Sequence, residues 1–249
     1  MKKIIVIGSG FGGLSITSRL RSNGFDTTLI EKQPDLGGRA RTFLHKGYKY
    51  DAGPTVITAP YLIEELFNIH SEKLSDYVNL LPVKPWYRFL FDNNEYLDYG
   101  DNLRNTVREI RTKYGNDNAK SYIKLLKHSK RIFNKAFMEL SDEPFESLGS
   151  MVKHLPELLR IRFDRSVYKA VDKHIGNIHL NQALSMHPLL VGGNPYSTTS
   201  IYLLIQYLEW KWGVYYAEGG TGKIVDALEK LLINKGVEIR KNTEAKKIV

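Results

Sequence analysis

Short apolar runs and glycine-rich turns alternate in the first part of the chain. Ile4–Ile7 is a β-branched run without an internal polar position, a pattern typical of a parallel strand buried on both faces. Apolar residues then recur at helical spacing from Leu14 to Leu20, and Gly24 favours the end of this helix. Thr27–Ile30 follows as a second strand. The order strand, turn, helix, strand predicts a βαβ unit and an α/β fold.

The middle of the chain has a different pattern. Residues 61–70 have the pattern of a short helix, and Trp86–Phe91 and Glu95–Tyr99 that of two paired strands joined by an Asp-Asn-Asn turn. Residues 102–140 are helical in pattern, with a break near 114–116 and an apolar stripe in the second half. We therefore expect an inserted α+β region here.

The turn after the first strand has the spacing of a dinucleotide-binding motif. Gly8, Gly10 and Gly13 fit G-x-G-x-x-G, in which the three glycines allow a tight turn, a close approach of pyrophosphate and close helix–strand packing. The pyrophosphate then lies at the helix N-terminus, where N–H groups and the helix dipole favour negative charge. Glu31 ends the second strand and is placed to accept both ribose hydroxyls, which favours FAD or NAD over NADP.

A second glycine pair lies just beyond the second strand. Gly37 and Gly38 precede Arg39, whose planar guanidinium suits a phosphate. The alternative is a loop with solvent-facing arginines. The Gly-Pro pair at residues 53–54 by itself indicates only a loop.

Composition excludes several classes of protein. The 249 residues are 42% hydrophobic and 25% charged, which argues against intrinsic disorder. The absence of cysteine excludes disulfides, thiolate catalysis and cysteine-ligated metals. The seven histidines show no H-x-x-x-H or H-E-x-x-H spacing, so we expect no metal site. No apolar run of membrane-spanning length occurs.

Positive charge is concentrated in one segment. The chain carries a net charge of +9, and residues 104–135 hold ten Lys/Arg against two acids. Residues 145–173 mix apolar and basic positions, which suits an anionic membrane surface. The alternative for both segments is a core helix with a solvated basic face. No nucleic-acid motif accompanies the charge, so we expect no nucleic-acid partner.

Several of these stretches together resemble a known family. The order GSGFGGL, Glu31, LGGRART and YDAGPTVIT resembles the amine-oxidase-like FAD flavoproteins. Within that group it is similar to the bacterial and fungal phytoene desaturases, a family of carotenoid desaturases. LLPVKPWYR (80–88), HPLLVGGNPYSTTSIY (187–202) and WGVYYAEGGTGKIVDAL (212–228) add to the resemblance, which extends over essentially the whole chain.

The resemblance implies a set of cofactor-binding residues for FAD. The residues expected at the pyrophosphate are Gly8, Ser9, Gly10, Gly12 and Gly13. Glu31, with Lys32 beside it, would hold the adenosine ribose. Gly38 and Arg39 would lie along the phosphates and the ribityl chain.

Two further segments are implied. Gly53, Pro54 and Thr55 would approach the isoalloxazine, and the backbone near Ala245 would contact adenine. The resemblance also implies a Rossmann-like FAD-binding domain from residues 1–60 and 213–249.

The domain division that follows gives residues 61–212 to a substrate- and membrane-associating region. Relatives of this family are about twice as long, so the chain looks truncated, and we expect the incomplete FAD domain to expose apolar surface.

The implied activity is FAD-dependent desaturation of a long polyene hydrocarbon, from phytoene toward lycopene, by hydride transfer to the flavin. Oxygen or a quinone would reoxidise the reduced flavin. Such a substrate implies a cytoplasmic protein at the membrane surface.

Asp51 and His187 are candidates for a role at the site, although a turn-stabilising aspartate and a hydrogen-bonded loop histidine are the simpler interpretations. The catalytic group stays unassigned.

Other functions fit the same fold. They are a dehydrosqualene-type C30 desaturase, a carotenoid isomerase, a soluble amine-oxidase-like flavoprotein and a non-catalytic FAD-binding fragment.

Overall fold

The computed structural model describes residues 2–139, Pro156 and 159–248. It divides into two compact units, which we call unit 1 (Met1–Pro82 with Val214–Val249) and unit 2 (Val83–Gly213). The boundaries expected from the sequence follow residues 60 and 212, and those of the two units follow residues 82 and 213. Residues 61–82, expected in the inserted region, belong instead to unit 1.

Strands and helices occur in both units. In chain order, the strands are β1 (Lys3–Ile7), β2 (Asp26–Ile30), β3 (Thr42–His45), β4 (Tyr48–Asp51), β5 (Leu80–Pro82), β6 (Tyr87–Leu90), β7 (Tyr96–Tyr99), β8 (Tyr215–Ala217) and β9 (Glu238–Arg240). The α-helices are α1 (Phe11–Ser22), α2 (Pro60–Asn68), α3 (Leu103–Tyr114), α4 (Asn116–Ile132), α5 (Val167–Asp172), α6 (Ile178–Leu184), α7 (Leu204–Trp212) and α8 (Gly222–Asn234).

Unit 1 is built on a parallel sheet with the order β1-β2-β9. Ile4 pairs with Thr27 and Thr28 with Glu238, both in parallel register. Leu14 of α1, Leu29 of β2 and Leu228 of α8 are fully buried in one hydrophobic core. The βαβ unit predicted from the sequence is confirmed.

The open face of this sheet contradicts one expectation. Ile5 and Ile7 of β1 are 64% and 53% exposed, whereas Ile4 and Val6 are half-buried on the other face. In the described residues the helices cover only one face of the sheet, so the expected two-sided burial of this run is wrong. The exposed isoleucines do match the expectation of uncovered apolar surface.

Helix α2 explains why residues 61–82 belong to unit 1. The Ser18 hydroxyl of α1 donates to the Leu66 carbonyl over 3.1 Å, and Arg19 forms a 2.8 Å ion pair with Glu65. Phe67 of α2 is fully buried in the core of this unit. The chain then returns as β5, which pairs antiparallel with β8.

Unit 2 begins with the predicted hairpin. β6 and β7 pair antiparallel, with Tyr87 opposite Tyr99. Helices α3 and α4 follow, and Gly115 between them has φ +87°, a conformation that ends a helix at low cost. The predicted break near 114–116 is confirmed, as is the apolar stripe at Leu125, Ile132 and Phe133, all fully buried.

Residues 145–155, 157 and 158 of the basic and apolar stretch at 145–173 lie outside the described residues. Within the described residues no helix is long and apolar enough to cross a bilayer.

Candidate functional site

The glycine-rich turn has the geometry that its spacing predicts. Gly8 adopts φ +92°, and its N–H donates to the Ile30 carbonyl over 2.8 Å, which joins the turn to the end of β2. A Cβ at Gly13 would lie 1.9 Å from the Gly8 carbonyl oxygen, so α1 packs directly on the turn. A Cβ at Gly10 or Gly12 would meet open space instead. Gly13 therefore serves packing, and the other two leave room for a ligand.

The N-terminus of α1 is available to an anion. Gly10 is its N-cap, with φ −62° and ψ 172°. Among the described residues, no side chain caps this terminus and no acid lies in its first turn. Since the first N–H groups of a helix lack partners within it, they and the dipole favour a phosphate here.

Glu31 is buried and hydrogen-bonded to the turn. Its Oε2 accepts from the Ser9 N–H over 2.9 Å and from the Ser9 hydroxyl over 2.7 Å, while Oε1 accepts from the Gln33 N–H over 2.9 Å. Burial by itself would raise the pKa of Glu31, but the hydrogen bonds from Ser9, Gln33 and Lys32 outweigh it and hold this pKa below its usual value. Glu31 is therefore an anionic acceptor at the end of β2, beside the glycine-rich turn.

The segment after β9 lies against the same strand end. The Glu31 N–H donates to the Arg240 carbonyl over 2.9 Å, and the Thr243 N–H donates to the Glu31 carbonyl over 2.8 Å. Ala245 follows two residues later and is exposed, as is Lys32. Neither side chain is held in the site, so their contacts to adenosine stay predictions.

The second glycine pair packs on the first. The Gly37 N–H donates to the Ser9 carbonyl over 2.9 Å. Gly38 has φ +56°, and a Cβ there would lie 3.2 Å from the Gly10 Cα. A side chain at Gly38 would therefore crowd the first loop, whereas one at Gly37 would meet Val225 of α8, 2.9 Å from its Cβ. Arg39 is exposed next to this contact and free to reach a phosphate.

The third segment is fixed to the second. A Cβ at Gly53 would lie 2.3 Å from the Arg39 carbonyl oxygen. The Thr221 hydroxyl donates to the Pro54 carbonyl, and Pro54 and Thr55 are exposed. The structure thus brings together the turn at 8–13, Glu31, the pair at 38–39 and the segment 53–55, in one row along unit 1.

This row fits FAD. It offers open space at two glycines, an uncapped helix terminus for the pyrophosphate and a carboxylate for the ribose. The exposed Gly-Pro-Thr segment at 53–55 packs against the Arg39 backbone, and the flavin half would extend toward it.

Asp51 holds two segments of unit 1 together. Its carboxylate accepts from the Thr42 hydroxyl and from the Thr221 N–H, both over 3.1 Å. Gly220 next to it has φ +93°. A Cβ at Gly222 would lie 2.1 Å from the Thr42 hydroxyl oxygen, so this glycine is a packing requirement that the sequence analysis missed. Gly222 is the third glycine of the sequence EGGTG at residues 218–222, and this concentration of glycines could have revealed it.

His187 lies in unit 2, in a buried network. It is 1% exposed, and its Nε2 lies 3.1 Å from Oε2 of fully buried Glu209. The Tyr87 hydroxyl donates to Oε1 of the same carboxylate over 2.7 Å. Burial and this carboxylate hold the pKa of Tyr87 far above its usual value. His187 therefore has a hydrogen-bonded place in the core of unit 2.

Comparison with known proteins identifies the family. Residues 11–249 match the family described as flavin containing amine oxidoreductase. The chain belongs to this family. The predicted membership in a flavin-dependent family is confirmed, as is the FAD-binding fold.

Two curated relatives are similar to the chain over nearly its whole length. It is 42% identical to a lycopene-forming phytoene desaturase of Pseudescherichia vulneris over 249 residues, 100% of this chain and 50% of the relative. It is 40% identical to that of Pantoea ananas over 239 residues, 96% of this chain and 48% of the relative. The resemblance to this family is thus confirmed, and the chain spans about half the length of these relatives.

A solved structure supports the fold alone. An oxidoreductase from Methanosarcina mazei has a TM-score of 0.62 and 17% identity, covering 100% of this chain and 53% of the other.

Proposed function

We propose that this chain supplies the FAD-binding part of a desaturase that acts on a long polyene hydrocarbon of the phytoene class. The observation that carries the proposal is 42% identity to a phytoene desaturase along all 249 residues. The row of glycines with Glu31 supports the same conclusion, since it suits the adenosine diphosphate part of FAD. When bound, FAD accepts the hydride that desaturation removes, and oxygen or a quinone would take the electrons onward.

The chain's own residues position the cofactor. When FAD is bound, the α1 terminus would hold the pyrophosphate, Glu31 and Lys32 the ribose, and the backbone near Ala245 the adenine. Gly53, Pro54 and Thr55 would approach the isoalloxazine. No side chain of this chain is proposed to move a proton.

Unit 2 offers an apolar groove for the polyene. A cavity of about 510 Å³ is lined by residues including Met186, Leu189 and Tyr196. The rings of Tyr168 and Tyr196 lie 4.5 Å apart at its wall. Apolar and aromatic walls are what a hydrocarbon chain without polar groups requires.

Desaturation is tested in cells that accumulate phytoene. The gene encoding this chain, with any sequence that follows Val249 in its reading frame, is expressed and the pigments are extracted. We expect coloured products whose absorption bands count the new double bonds. Unchanged phytoene in cells that contain the flavin-loaded protein would contradict the proposal. Activity on dehydrosqualene alone would assign a C30 substrate instead.

Membrane contact is proposed at the turn beside the groove. Leu189, Leu190 and Val191 are consecutive and 61%, 42% and 56% exposed, and three exposed apolar side chains on one turn suit the interface of a bilayer. We expect L190E to weaken sedimentation with vesicles. L90E, which makes the same change at the 76% exposed Leu90 of the β6–β7 hairpin, is the matched control. Equal effects of both variants would remove the turn from the proposed contact.

A further inference from the structure

A small basic cavity lies in unit 2. We call it the basic pocket; its volume is about 220 Å³, and its lining residues are His128, Arg131, Lys135, Arg160 and Ile161. The first three follow one another at intervals of three and four residues, which places them on one side of the helical segment that includes α4. Arg160 closes the cavity from another part of the chain.

A second histidine and further cations lie next to the pocket. The ring of His174 is centred 6.1 Å from that of His128. Burial, and then the charges of Arg131 and Lys173, lower the pKa of His128 to about 4. Burial, and then Lys173, Lys124 and Arg131, lower the pKa of His174 as well. Both imidazoles are therefore neutral at pH 7, in a strongly positive field.

One described acid already neutralises a cation of the pocket, and a second is hydrogen-bonded to an amide. Glu139 forms a 2.7 Å ion pair with Lys135. The carboxylate of Asp172 accepts from the Asn181 amide over 2.8 Å. Of the lining residues that the structure describes, none is acidic. Like charges held this close destabilise a fold unless a counter-ion joins them.

We propose that the basic pocket binds a phosphate group. The guanidinium groups of Arg131 and Arg160 provide the planar forks that pair with phosphate oxygens. Lys135 is not counted among these groups, because its ammonium already pairs with Glu139. The cavity is several times the roughly 30 Å³ that one water occupies in the liquid, which leaves room for a phosphate but not for a whole dinucleotide. The site is independent of the proposed function, because the FAD phosphates belong to the glycine-rich turn of unit 1.

Histidine titration by NMR tests the pocket in the 249-residue chain. The chain is titrated in sodium phosphate and in sodium chloride of equal ionic strength. A bound phosphate favours the imidazolium form, so we expect the pKa of His128 and His174 to rise by about one pH unit in phosphate, a tenfold preference for the protonated form. His45 of unit 1 is the internal control, and its ring signals at a fixed pH should be the same in the two salts. Equal pKa values in the two salts would overturn the proposal.

Two charge-matched variants locate the effect. R131Q/R160Q removes both guanidinium groups of the pocket, and we expect phosphate affinity to fall by at least about tenfold. R104Q/R111Q removes two exposed arginines of α3 and should change it less than about twofold. R131K/R160K keeps the charge and the fold but loses the planar forks, and should bind phosphate more weakly than wild type. Equal losses in the first two variants would reduce the effect to nonspecific attraction and overturn the site.

Vesicles then distinguish the two sources of the phosphate. Sedimentation with phosphatidylglycerol vesicles is compared for R131Q/R160Q and R104Q/R111Q. A larger loss in the pocket variant identifies a lipid headgroup. Equal vesicle binding, together with the histidine response to inorganic phosphate, identifies a soluble phosphate compound.

Discussion

The two units differ in the kind of substitution that destabilises them. The site of unit 1 depends on atoms that are absent, since Cβ atoms at Gly13 and Gly53 would lie 1.9 Å and 2.3 Å from carbonyl oxygens. The core of unit 2 depends on atoms that are present, since Tyr87 and His187 both hydrogen-bond to the buried Glu209 carboxylate. Unit 1 is therefore sensitive to added volume and unit 2 to removed polar groups.

The largest effect is expected at Gly13. In G13A the new methyl group would collide with backbone rather than with a flexible side chain, so strand and helix must separate. We expect a loss of about 3 kcal/mol in the free energy of unfolding and no measurable FAD binding. Urea denaturation and flavin fluorescence measure the two quantities.

G12A is the matched control for that substitution. Its Cβ meets open space, and alanine has a higher helix propensity than glycine by about 1 kcal/mol. The unliganded chain should keep or gain stability while FAD affinity falls, because the methyl group occupies space that the pyrophosphate needs. A G12A variant as unstable as G13A would end the distinction between packing and ligand-facing glycines.

A comparable loss of stability is expected when the buried carboxylate of unit 2 is removed. E209A leaves His187 and the Tyr87 hydroxyl buried without their acceptor, at a cost of about 2–3 kcal/mol. Calorimetric unfolding measures it, and FAD affinity measured on the folded fraction should stay within about twofold of wild type. If E209A costs less than a typical surface substitution, the network does not stabilise unit 2.

A smaller effect isolates one bond of this network. Y87F removes the hydroxyl that donates to Glu209 and keeps the ring, so we expect a loss of about 1 kcal/mol. In the E209A background the same change should cost almost nothing, because the acceptor is already gone. A double-mutant cycle from urea titrations gives this coupling, and independent effects would contradict the assignment.

The smallest effect concerns Glu31 and pH. Its pKa is lowered in the folded chain, so the stability it contributes is present above the pKa of the unfolded chain and is lost as pH falls through the folded pKa. S9A removes the hydroxyl bond and should raise this pKa toward its ordinary value, with a loss below about 1 kcal/mol at pH 7 that shrinks in acid. Carboxyl NMR measures the pKa of Glu31, and urea melts measure the free energy of unfolding. An unchanged pKa in S9A would contradict the hydrogen bond from the Ser9 hydroxyl to Glu31.

The features that could be predicted from the sequence lie in short stretches of chain, whereas those that could not join distant residues. The glycine-rich turn, Glu31 and the β6–β7 hairpin lie within short stretches, so spacing alone carries their geometry. The bonds of Tyr87, His187 and Glu209 join residues up to 122 positions apart, and no local pattern marks them. The exposure of Ile5 and Ile7 was missed for a related reason, since burial of a strand depends on what packs on it.

FAD recognition gives the most direct test of the account. The affinities of FAD, ADP and FMN for the chain are compared by calorimetry. Because the site holds the adenosine diphosphate part through the α1 terminus and Glu31, FAD and ADP should bind and FMN should not. Binding of FMN as tight as that of FAD, or binding of neither FAD nor ADP, would contradict the central claim.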